Sequence, residues 1–320
     1  MPFLYNPPGS KSLTNRTLIL RALSGSKTRV KNLPESDDVR VMQNALKNIR
    51  EGKTSINVGN SGTASRFLCA AITIMQKKIT IDGIEAMRKR HIAELITALI
   101  NLGAKIIYLG KNGYLPIQIT PKKMHGGVVE IPMEKSSQYA SSLALIGPFL
   151  PGGLTLKITG KRRSESYFQM TLKLLKQWGV RIEQKNSSKI VIYEGIKPLK
   201  EYIIEADMAS SSYFHSLAKL HHKKLRFPKR GIQAEQEFFT ILKNFETLKT
   251  IDAKNIPDTT LTLAVLAPLL GKSITFTNVN HLQYKESNRL STLSKELRKI
   301  GAKVKTTKNS INITGPRTII

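Results

Sequence analysis

The stretch "HIAELITALINLGAKI", His91–Ile106, decides the fold of this chain. Its apolar residues recur every three or four positions, which is the spacing of one helix face. These residues are Ile92, Leu95, Ile96, Leu99 and Leu102. Gly103 stands where a helix commonly ends on a left-handed residue, and β-prone residues follow it. The stretch therefore predicts a helix, a glycine that ends it, and a strand.

The same pattern returns along the chain. Two clear copies, "MTLKLLKQWGVRI" (170–182) and "TLSKELRKIGAKV" (292–304), again place a glycine at the predicted helix end. Two weaker copies keep the apolar helix but have Arg50 and Glu246 near the expected glycine. The weaker copies are "VMQNALKNIREGKTSI" (41–56) and "FFTILKNFETLKTI" (238–251). Repetition of one helix–strand pattern predicts stacked structural repeats.

A second kind of helix alternates with the first. Its members are rich in small residues and begin with Ser, Thr, Gly or Asp, which are favoured helix N-caps. They are "GSKSLTNRTLIL" (9–20), "GNSGTASRFLCAAI" (59–72), "SSQYASSLALI" (136–146), "DMASSSYFHSLA" (207–218) and "PDTTLTLAVLAPLL" (257–270). Small side chains let helices approach closely, so we expect these helices to be buried. The alternation occurs five times and predicts an α/β (α+β) protein.

Cations cluster near the predicted helix starts. A Lys or Arg in a first turn opposes the helix dipole and costs about 0.3–1 kcal/mol. The residues concerned are Lys11, Arg16, Arg66, Arg90, Lys285 and Arg289. A repeat fold whose helices were merely N-capped would not need these cations. We therefore expect bound anions at the helix starts, although "PPGSKSLTNRTLILRAL" (7–23) does not have the Walker spacing.

The composition limits the possible classes of function. The 320 residues carry a net charge of +29 and are 40% hydrophobic, with no apolar stretch long enough to span a membrane. Cys69 is the single cysteine and the six histidines show no metal-ligand spacing, so we expect a cytoplasmic protein without a metal site. A nucleic-acid-binding role remains an alternative on charge alone. It is disfavoured because the cations are spread along the chain and aromatic residues make up only 6%.

Nine short motifs occur in one order, within a match that runs from about residue 8 to residue 304. They are "PGSKSLTNR", "SDDVR", "GNSGTASR", "RKRHI", "SSQ", "SESY", "DMASSSYF", "IPDTTL" and "YKESNRL". In this order they resemble the 5-enolpyruvylshikimate-3-phosphate (EPSP) synthase family. A single motif such as SSQ is weak, whereas nine in sequence are specific. The related UDP-N-acetylglucosamine enolpyruvyl transferases lack the PGSKS opening and are a poorer match.

The resemblance implies the two-domain enolpyruvyl transferase fold, built of repeated βαβαββ units, with five of six units present. Residues 12–205 would form a three-unit domain. Residues 206–320 would form an incomplete two-unit domain, to which residues 1–11 contribute. The family's active site lies between its two domains. Its members are typically monomers.

The implied reaction moves the enolpyruvyl group of phosphoenolpyruvate onto the 5-hydroxyl of shikimate 3-phosphate and releases phosphate. The resemblance implies no metal or organic cofactor. The resemblance assigns the hydroxyl proton to Asp258 and Lys285 and proton delivery at carbon to Glu286, with Lys11 also catalytic. The implied shikimate 3-phosphate residues are Lys11, Ser12, Arg16, Ser136, Ser137, Gln138, Ser164, Tyr167, Asp258, His281 and Lys285. The implied phosphoenolpyruvate residues are Lys11, Gly62, Arg90, Gln138 and Arg289.

Two of these assignments have simpler alternatives. Asp258 follows Pro257 and could merely cap a helix, and 285–289 could be an exposed basic face. His281 and His91 stand where the family often has Asn and Pro.

The chain also departs from the family pattern by deletion. We expect the closing hairpins of the first and fourth units to be absent, and likewise a sixth unit after "NITGPRTII". The shortening predicts partly uncovered apolar faces on "TLTLAVLAPLL" and "RLSTLSKEL". It also leaves open a catalytically impaired remnant that binds shikimate 3-phosphate only.

Overall fold

The computed structural model describes residues 7–162, 164–226, 231–284 and 287–315. These residues form two compact units. The larger unit contains residues 9–162 and 167–205. The smaller unit contains, of the described residues, 7–8, 164–166 and everything from 206 onward.

Helices and strands are interspersed along the chain up to residue 205. They are α1 (Lys11–Leu23), β1 (Arg29–Lys31), α2 (Asp37–Arg50), β2 (Ser55–Asn57), α3 (Gly62–Met75), β3 (Ile79–Asp82), α4 (Glu85–Arg88), α5 (Ala93–Asn101), β4 (Lys105–Tyr108), β5 (Ile117–Thr120), β6 (Gly127–Pro132), α6 (Ser137–Ile146), β7 (Leu154–Thr159), α7 (Glu165–Gln177), β8 (Ile182–Gln184), β9 (Lys189–Ile192) and β10 (Glu201–Ile203). A 3₁₀ turn, Gly147–Phe149, follows α6.

The remaining elements belong to the smaller unit. They are α8 (Met208–Leu220), α9 (Glu237–Lys243), β11 (Thr250–Asp252), α10 (Thr259–Leu269), β12 (Ser273–Thr277), a 3₁₀ turn (Asn280–Tyr284), α11 (Arg289–Lys299), β13 (Lys303–Thr306) and β14 (Ser310–Thr314).

Three four-stranded sheets share one topology. Their strand orders are β2-β3-β5-β4, β6-β7-β9-β8 and β11-β12-β14-β13. In each sheet the first two strands are parallel and the closing hairpin is antiparallel. Each sheet belongs to a complete βαβαββ repeat, which confirms the repeat fold expected from the sequence.

Two repeats are shorter. After α2 only four residues precede β2, and after α9 only six precede β11, so neither gap holds a hairpin. In the described chain β1 pairs with β10 alone, in a two-stranded parallel sheet. The expected loss of both hairpins is therefore confirmed.

The glycine assignments are confirmed in three repeats and corrected in one. Gly103, Gly179 and Gly301 follow their helices with φ of +98°, +73° and +83°. Gly52 follows α2 in the same way, with Glu51 as C-cap and a φ of +85°. The expectation that this repeat had lost its glycine is wrong, because the helix ends at Arg50 and the glycine stands two residues later.

The small-residue helices form the centre of the larger unit. Helices α1, α3 and α6 pack on one another, and most of their side chains are buried. In the smaller unit α8 and α10 pack together, with the Ser212 and Thr262 hydroxyls 3.0 Å apart. The prediction of burial is confirmed for the larger unit and is only half right for α8.

Apolar side chains on one face of α8 are exposed. Tyr213, Phe214 and Leu217 are 63%, 45% and 54% exposed, and Val265 on α10 is 41% exposed. This agrees with the uncovered face expected for "TLTLAVLAPLL". The same expectation is wrong for α11, whose Leu290, Leu293 and Leu297 are all buried on the sheet.

Two features of the described residues bear on function. None of their helices combines the length and apolar character needed to cross a membrane. Nor do they contain a group of three or more His, Cys, Asp and Glu side chains that could hold a metal ion.

Candidate functional site

The loop that opens the larger unit is shaped by close backbone approach. A Cβ atom on Gly9 would lie 1.8 Å from the carbonyl oxygen of Asn32, so only glycine fits there. Ser10 caps α1 by accepting a hydrogen bond from the Leu13 amide at 3.4 Å. Lys11 follows in the first turn, half-exposed, with its Nζ 2.9 Å from Asp38. The turn, cap and cation predicted from the sequence are therefore adjacent.

Arg16 lies one turn further along α1 and is only 2% exposed. Its Nε donates to the Thr171 hydroxyl at 2.7 Å, and its Nη atoms donate to the carbonyls of Ser12 and Tyr167. Burial lowers the pKa of the guanidinium to about 9. Among the described residues no carboxylate lies within ion-pair distance of it. A buried cation with neutral partners is costly unless an anion joins it.

Two guanidinium groups meet at the start of α3. A Cβ atom on Gly62 would lie 2.5 Å from Arg66 Nη1 and 2.6 Å from Arg90 Nη1. Arg66 is buried and donates to the Gly62 carbonyl and to Gln138 Oε1, at 3.1 and 2.8 Å. Two positive charges at a helix N-terminus repel each other and the helix dipole. An anion bound between them would be attracted to both guanidinium groups and to the N-terminus, which makes the arrangement favourable.

The start of α6 adds neutral donors to this cluster. Ser136 caps the helix by accepting from the Gln138 amide at 3.2 Å, and Ser137 is buried. Gln138 accepts from Arg66 and donates Nε2 to the Thr63 hydroxyl at 3.0 Å. The larger unit thus brings the starts of α3 and α6 together, as the sequence assignment of Gly62 and Gln138 requires.

The smaller unit has a carboxylate pair at the start of α10. Within the described part of the chain the Asp258 side chain does not cap this helix. Glu235 does so, accepting from the Asp258 and Thr259 amides at 3.1 Å each and from the Thr259 hydroxyl at 2.6 Å. Asp258 instead accepts from Arg289 Nη1 at 2.6 Å. The capping alternative for Asp258 is therefore wrong.

Glu235 is itself an unusual residue. It is buried and adopts a φ of +71°, which costs a non-glycine residue about 1–3 kcal/mol. Burial and the neighbouring Asp258 carboxylate raise its pKa to about 7. A carboxyl held near neutral pH beside a second carboxylate is typical of acid–base sites.

Glu235→Gln should change how stability depends on pH. Since the pKa of Glu235 rises from 4.5 unfolded to about 7 folded, the folded protein holds the extra proton between these values. Its unfolding free energy therefore falls as pH rises through this window. Urea unfolding measures this difference. We expect the unfolding free energy of the variant to be about 1–3 kcal/mol higher than that of the wild type at pH 8, and equal to it near pH 5. The control is Glu296→Gln, at an exposed position. The prediction would be contradicted if the unfolding free energies of Glu235→Gln and the wild type depended on pH in the same way.

The other assigned residues are spread over both units. Tyr167, on α7 in the larger unit, accepts from Arg16 through its carbonyl. Ser164, in the smaller unit, is buried and has a φ of +52°. His281 is buried, with Nδ1 2.8 Å from the Asn278 carbonyl. Lys285 and Glu286 lie outside the described residues.

Three residues of these clusters, Arg66, Glu235 and Thr171, carry no site assignment from the sequence, although Arg66 is among the expected helix-start cations. Arg66 stands in the quoted motif "GNSGTASR", and its place at a helix start was the available signal. Glu235 had no signal, because it acts on α10 from a loop more than 20 positions earlier in the chain. Thr171 on α7 holds Arg16 in the same way, from a distant position.

Comparison with known proteins gives the family. The family model for EPSP synthase (3-phosphoshikimate 1-carboxyvinyltransferase) matches residues 5–246 and 229–319. The chain belongs to the EPSP synthase family. The resemblance carried by the nine motifs is thereby confirmed, and so is the two-domain α/β fold class.

Curated relatives extend over most of the chain. A 3-phosphoshikimate 1-carboxyvinyltransferase of Sulfurovum sp. (strain NBC37-1) is 33% identical over 97% of this chain and 83% of its own length. The 3-phosphoshikimate 1-carboxyvinyltransferase of Shewanella halifaxensis (strain HAW-EB4) is 32% identical over 97% of this chain and 84% of its own length. The first alignment is 356 positions long, longer than this chain, so the chain has internal gaps relative to this EPSP synthase.

Solved structures agree on the fold. The 2.37 Å structure of EPSP synthase from Acinetobacter baumannii has a TM-score of 0.76 at 20% identity, covering 98% of this chain and 82% of that one. A second EPSP synthase structure from this organism has a TM-score of 0.77 at 19% sequence identity. None of these comparisons favours the impaired, binding-only alternative over an EPSP synthase.

Proposed function

We propose that this chain is a 3-phosphoshikimate 1-carboxyvinyltransferase. It transfers the enolpyruvyl group of phosphoenolpyruvate to the 5-hydroxyl of shikimate 3-phosphate and releases phosphate, a step toward chorismate and the aromatic amino acids. The hydroxyl oxygen forms a bond to C2 while C3 gains a proton. The bond from C2 to the phosphate oxygen then breaks as C3 loses a proton. The reaction needs a base, an acid and cations for two anionic substrates.

The convergence of Arg66 and Arg90 on Gly62 is the observation that carries this proposal. Phosphoenolpyruvate bears a phosphate and a carboxylate, and paired guanidinium groups bind such groups through several parallel hydrogen bonds. We assign Gly62, Arg66, Arg90 and Gln138 to phosphoenolpyruvate, with Lys11 nearest its phosphate.

Shikimate 3-phosphate is assigned to residues of both units. Arg16 has five N–H groups, of which three are occupied, so it retains donors for an anion. The residues assigned with it are Lys11, Ser12, Ser136, Ser137, Gln138, Ser164, Tyr167, Asp258, His281 and Lys285.

The acid–base chemistry is assigned to the smaller unit. Asp258 takes the hydroxyl proton together with Lys285, and Glu286 delivers the proton to C3. Arg289 holds Asp258 at 2.6 Å and is assigned to the phosphoenolpyruvate carboxylate as well. Glu235 fixes the backbone of Asp258 and Thr259 and is a positioning residue. We further propose that residues 12–205, and 206–320 with 1–11, act as the enzyme's two domains in a cytoplasmic monomer.

Product formation tests the proposal directly. The purified chain is mixed with phosphoenolpyruvate and shikimate 3-phosphate, and released phosphate and the carboxyvinyl product are measured. We expect phosphate release only when both substrates are present. UDP-N-acetylglucosamine in place of shikimate 3-phosphate should give none. Release with that acceptor, or no product with shikimate 3-phosphate, would overturn the proposal.

Gly62→Ala should weaken phosphoenolpyruvate binding selectively. The added Cβ would force the Arg66 and Arg90 guanidinium groups apart and disturb hydrogen bonds of about 1.5–3 kcal/mol each. We expect the KM for phosphoenolpyruvate to rise about tenfold, which corresponds to about 1.4 kcal/mol. The KM for shikimate 3-phosphate should change less than about twofold on the same grounds.

Gly110→Ala is the matched control. Its Cβ would meet only Pro116 Cδ, at an ordinary 3.6 Å. An unchanged phosphoenolpyruvate KM in Gly62→Ala would remove these two arginines from the proposed site.

A further inference from the structure

A cavity of about 540 Å³ lies in the first repeat of the larger unit. Its walls are the C-terminal ends of α1, α2 and α3. The apolar lining includes Leu18 and Ile49, which are buried, and Leu46, Ile74 and Met75, which are half-buried. The volume is within the range of small-molecule sites, about 300–1,000 Å³.

The shortened first repeat accounts for this cavity. In the next repeat β5 pairs with β3 and packs on α3, placing Ile117 and Ile119 in the core. Among the described residues no such strand lies beside β1, because α2 leads directly to β2. Apolar side chains of α1 and α2 are thereby left to line open space.

The rim of the cavity is strongly basic. Arg21, Lys47, Arg50 and Lys77 all line it. Glu51 is the one carboxylate that pairs with any of them in the described chain, at 3.9 Å from Lys47. Cations commonly stabilise helix C-termini, and Lys77 does so by donating to the Ile49 carbonyl at 2.7 Å.

Arg21 and Arg50 are different. Within the described residues neither guanidinium makes a hydrogen bond or an ion pair, although both stand at an apolar cavity. Both residues lie in the last turns of α1 and α2, where the helix dipole favours a cation, and their exposed guanidinium groups remain available to a ligand at the cavity. An anionic group between them would gain charge-assisted hydrogen bonds while its apolar part covers the lining.

We propose that this cavity binds a small amphipathic anion, an organic carboxylate, sulfonate or phosphate with an apolar body of aromatic-ring size. The anionic group lies beside Arg21 and Arg50, and the apolar body lies on Leu46, Ile74 and Met75. This site differs from the proposed substrate site. The latter uses the N-terminal ends of α1 and α3, and α1 alone is about 20 Å long at 1.5 Å per residue. The proposal does not depend on the enzymatic assignment.

The anionic dye 8-anilinonaphthalene-1-sulfonate is the probe. We expect the double variant Arg21→Gln/Arg50→Gln to bind it about tenfold more weakly than wild type by fluorescence titration. The control Lys53→Gln/Lys78→Gln removes the same charge from exposed positions outside the cavity and should stay within about twofold. The uncharged dye N-phenyl-1-naphthylamine should bind the two double variants with equal affinity.

Methyl NMR locates the dye. Signals of Ile49, Ile74 and Met75 should shift, and saturating shikimate 3-phosphate should not displace the dye. Equal dye affinity of the two double variants would overturn the proposal. So would shifts confined to the smaller unit, where the exposed face of α8 could bind the dye instead, or complete displacement by shikimate 3-phosphate.

Discussion

Replacing Asp258 with asparagine should lower kcat by about two to four powers of ten, which is the usual contribution of a positioned general base. The substitution keeps the shape of the side chain and an oxygen that can accept from Arg289. It removes the one feature of this side chain that the proposed chemistry needs, a carboxylate that can take the hydroxyl proton. The cap of α10 should persist, because Glu235 supplies it.

The measurement is steady-state phosphate release with both substrates varied. The KM values should change far less than kcat, because asparagine retains the hydrogen bond that places the side chain. Asp252→Asn is the matched control, since Asp252 is exposed in β11 of the same unit and accepts from the Lys254 amide. A kcat for Asp258→Asn within about tenfold of wild type would exclude Asp258 as the base.

A second readout separates catalysis from positioning. The Asp258 carboxylate helps to raise the pKa of Glu235. Its removal should therefore lower that pKa toward 4.5 and shift the pH dependence of stability to lower pH. A lost turnover without this shift would mean that the two carboxyl groups do not interact in solution.

Arg16→Met should weaken shikimate 3-phosphate binding by about 10- to 100-fold, the equivalent of one charged hydrogen bond. The guanidinium is buried with neutral partners, and a substrate anion would be its charge partner. The affinity is measured by calorimetry, and the rise in Tm on adding shikimate 3-phosphate should nearly vanish. Lys173→Met, an exposed cation on α7, should behave as wild type.

The variant Arg16→Lys controls for loss of binding through misfolding. Lysine keeps the charge but cannot reproduce the three hydrogen bonds to Ser12, Tyr167 and Thr171. Its shikimate 3-phosphate affinity should fall between wild type and Arg16→Met. Wild-type affinity in both variants would show that Arg16 has a purely structural role.

Local sequence signals predicted the repeat architecture. Helix periodicity, a glycine after each helix and polar N-caps act within one or two turns, so a single stretch such as 91–106 contains all of them. The same locality explains the helix-start cations Lys11, Arg16 and Arg66. The glycine of the first repeat, Gly52, lies two residues beyond the expected position at Arg50, because local signals place a helix end only to within a residue or two.

Tertiary structure alone decided how these residues are used. Gln138 meets Arg66 from 72 positions away, Thr171 meets Arg16 from 155, and Glu235 caps α10 so that Asp258 can pair with Arg289. Hydrogen bonds between distant segments leave no periodicity in the sequence. The cavity in the first repeat and the exposed face of α8 likewise leave no local signal in the sequence, because each depends on which element packs beside it. The sequence by itself therefore determined the repeats and their cations, and packing between distant segments decided which side chains became a site.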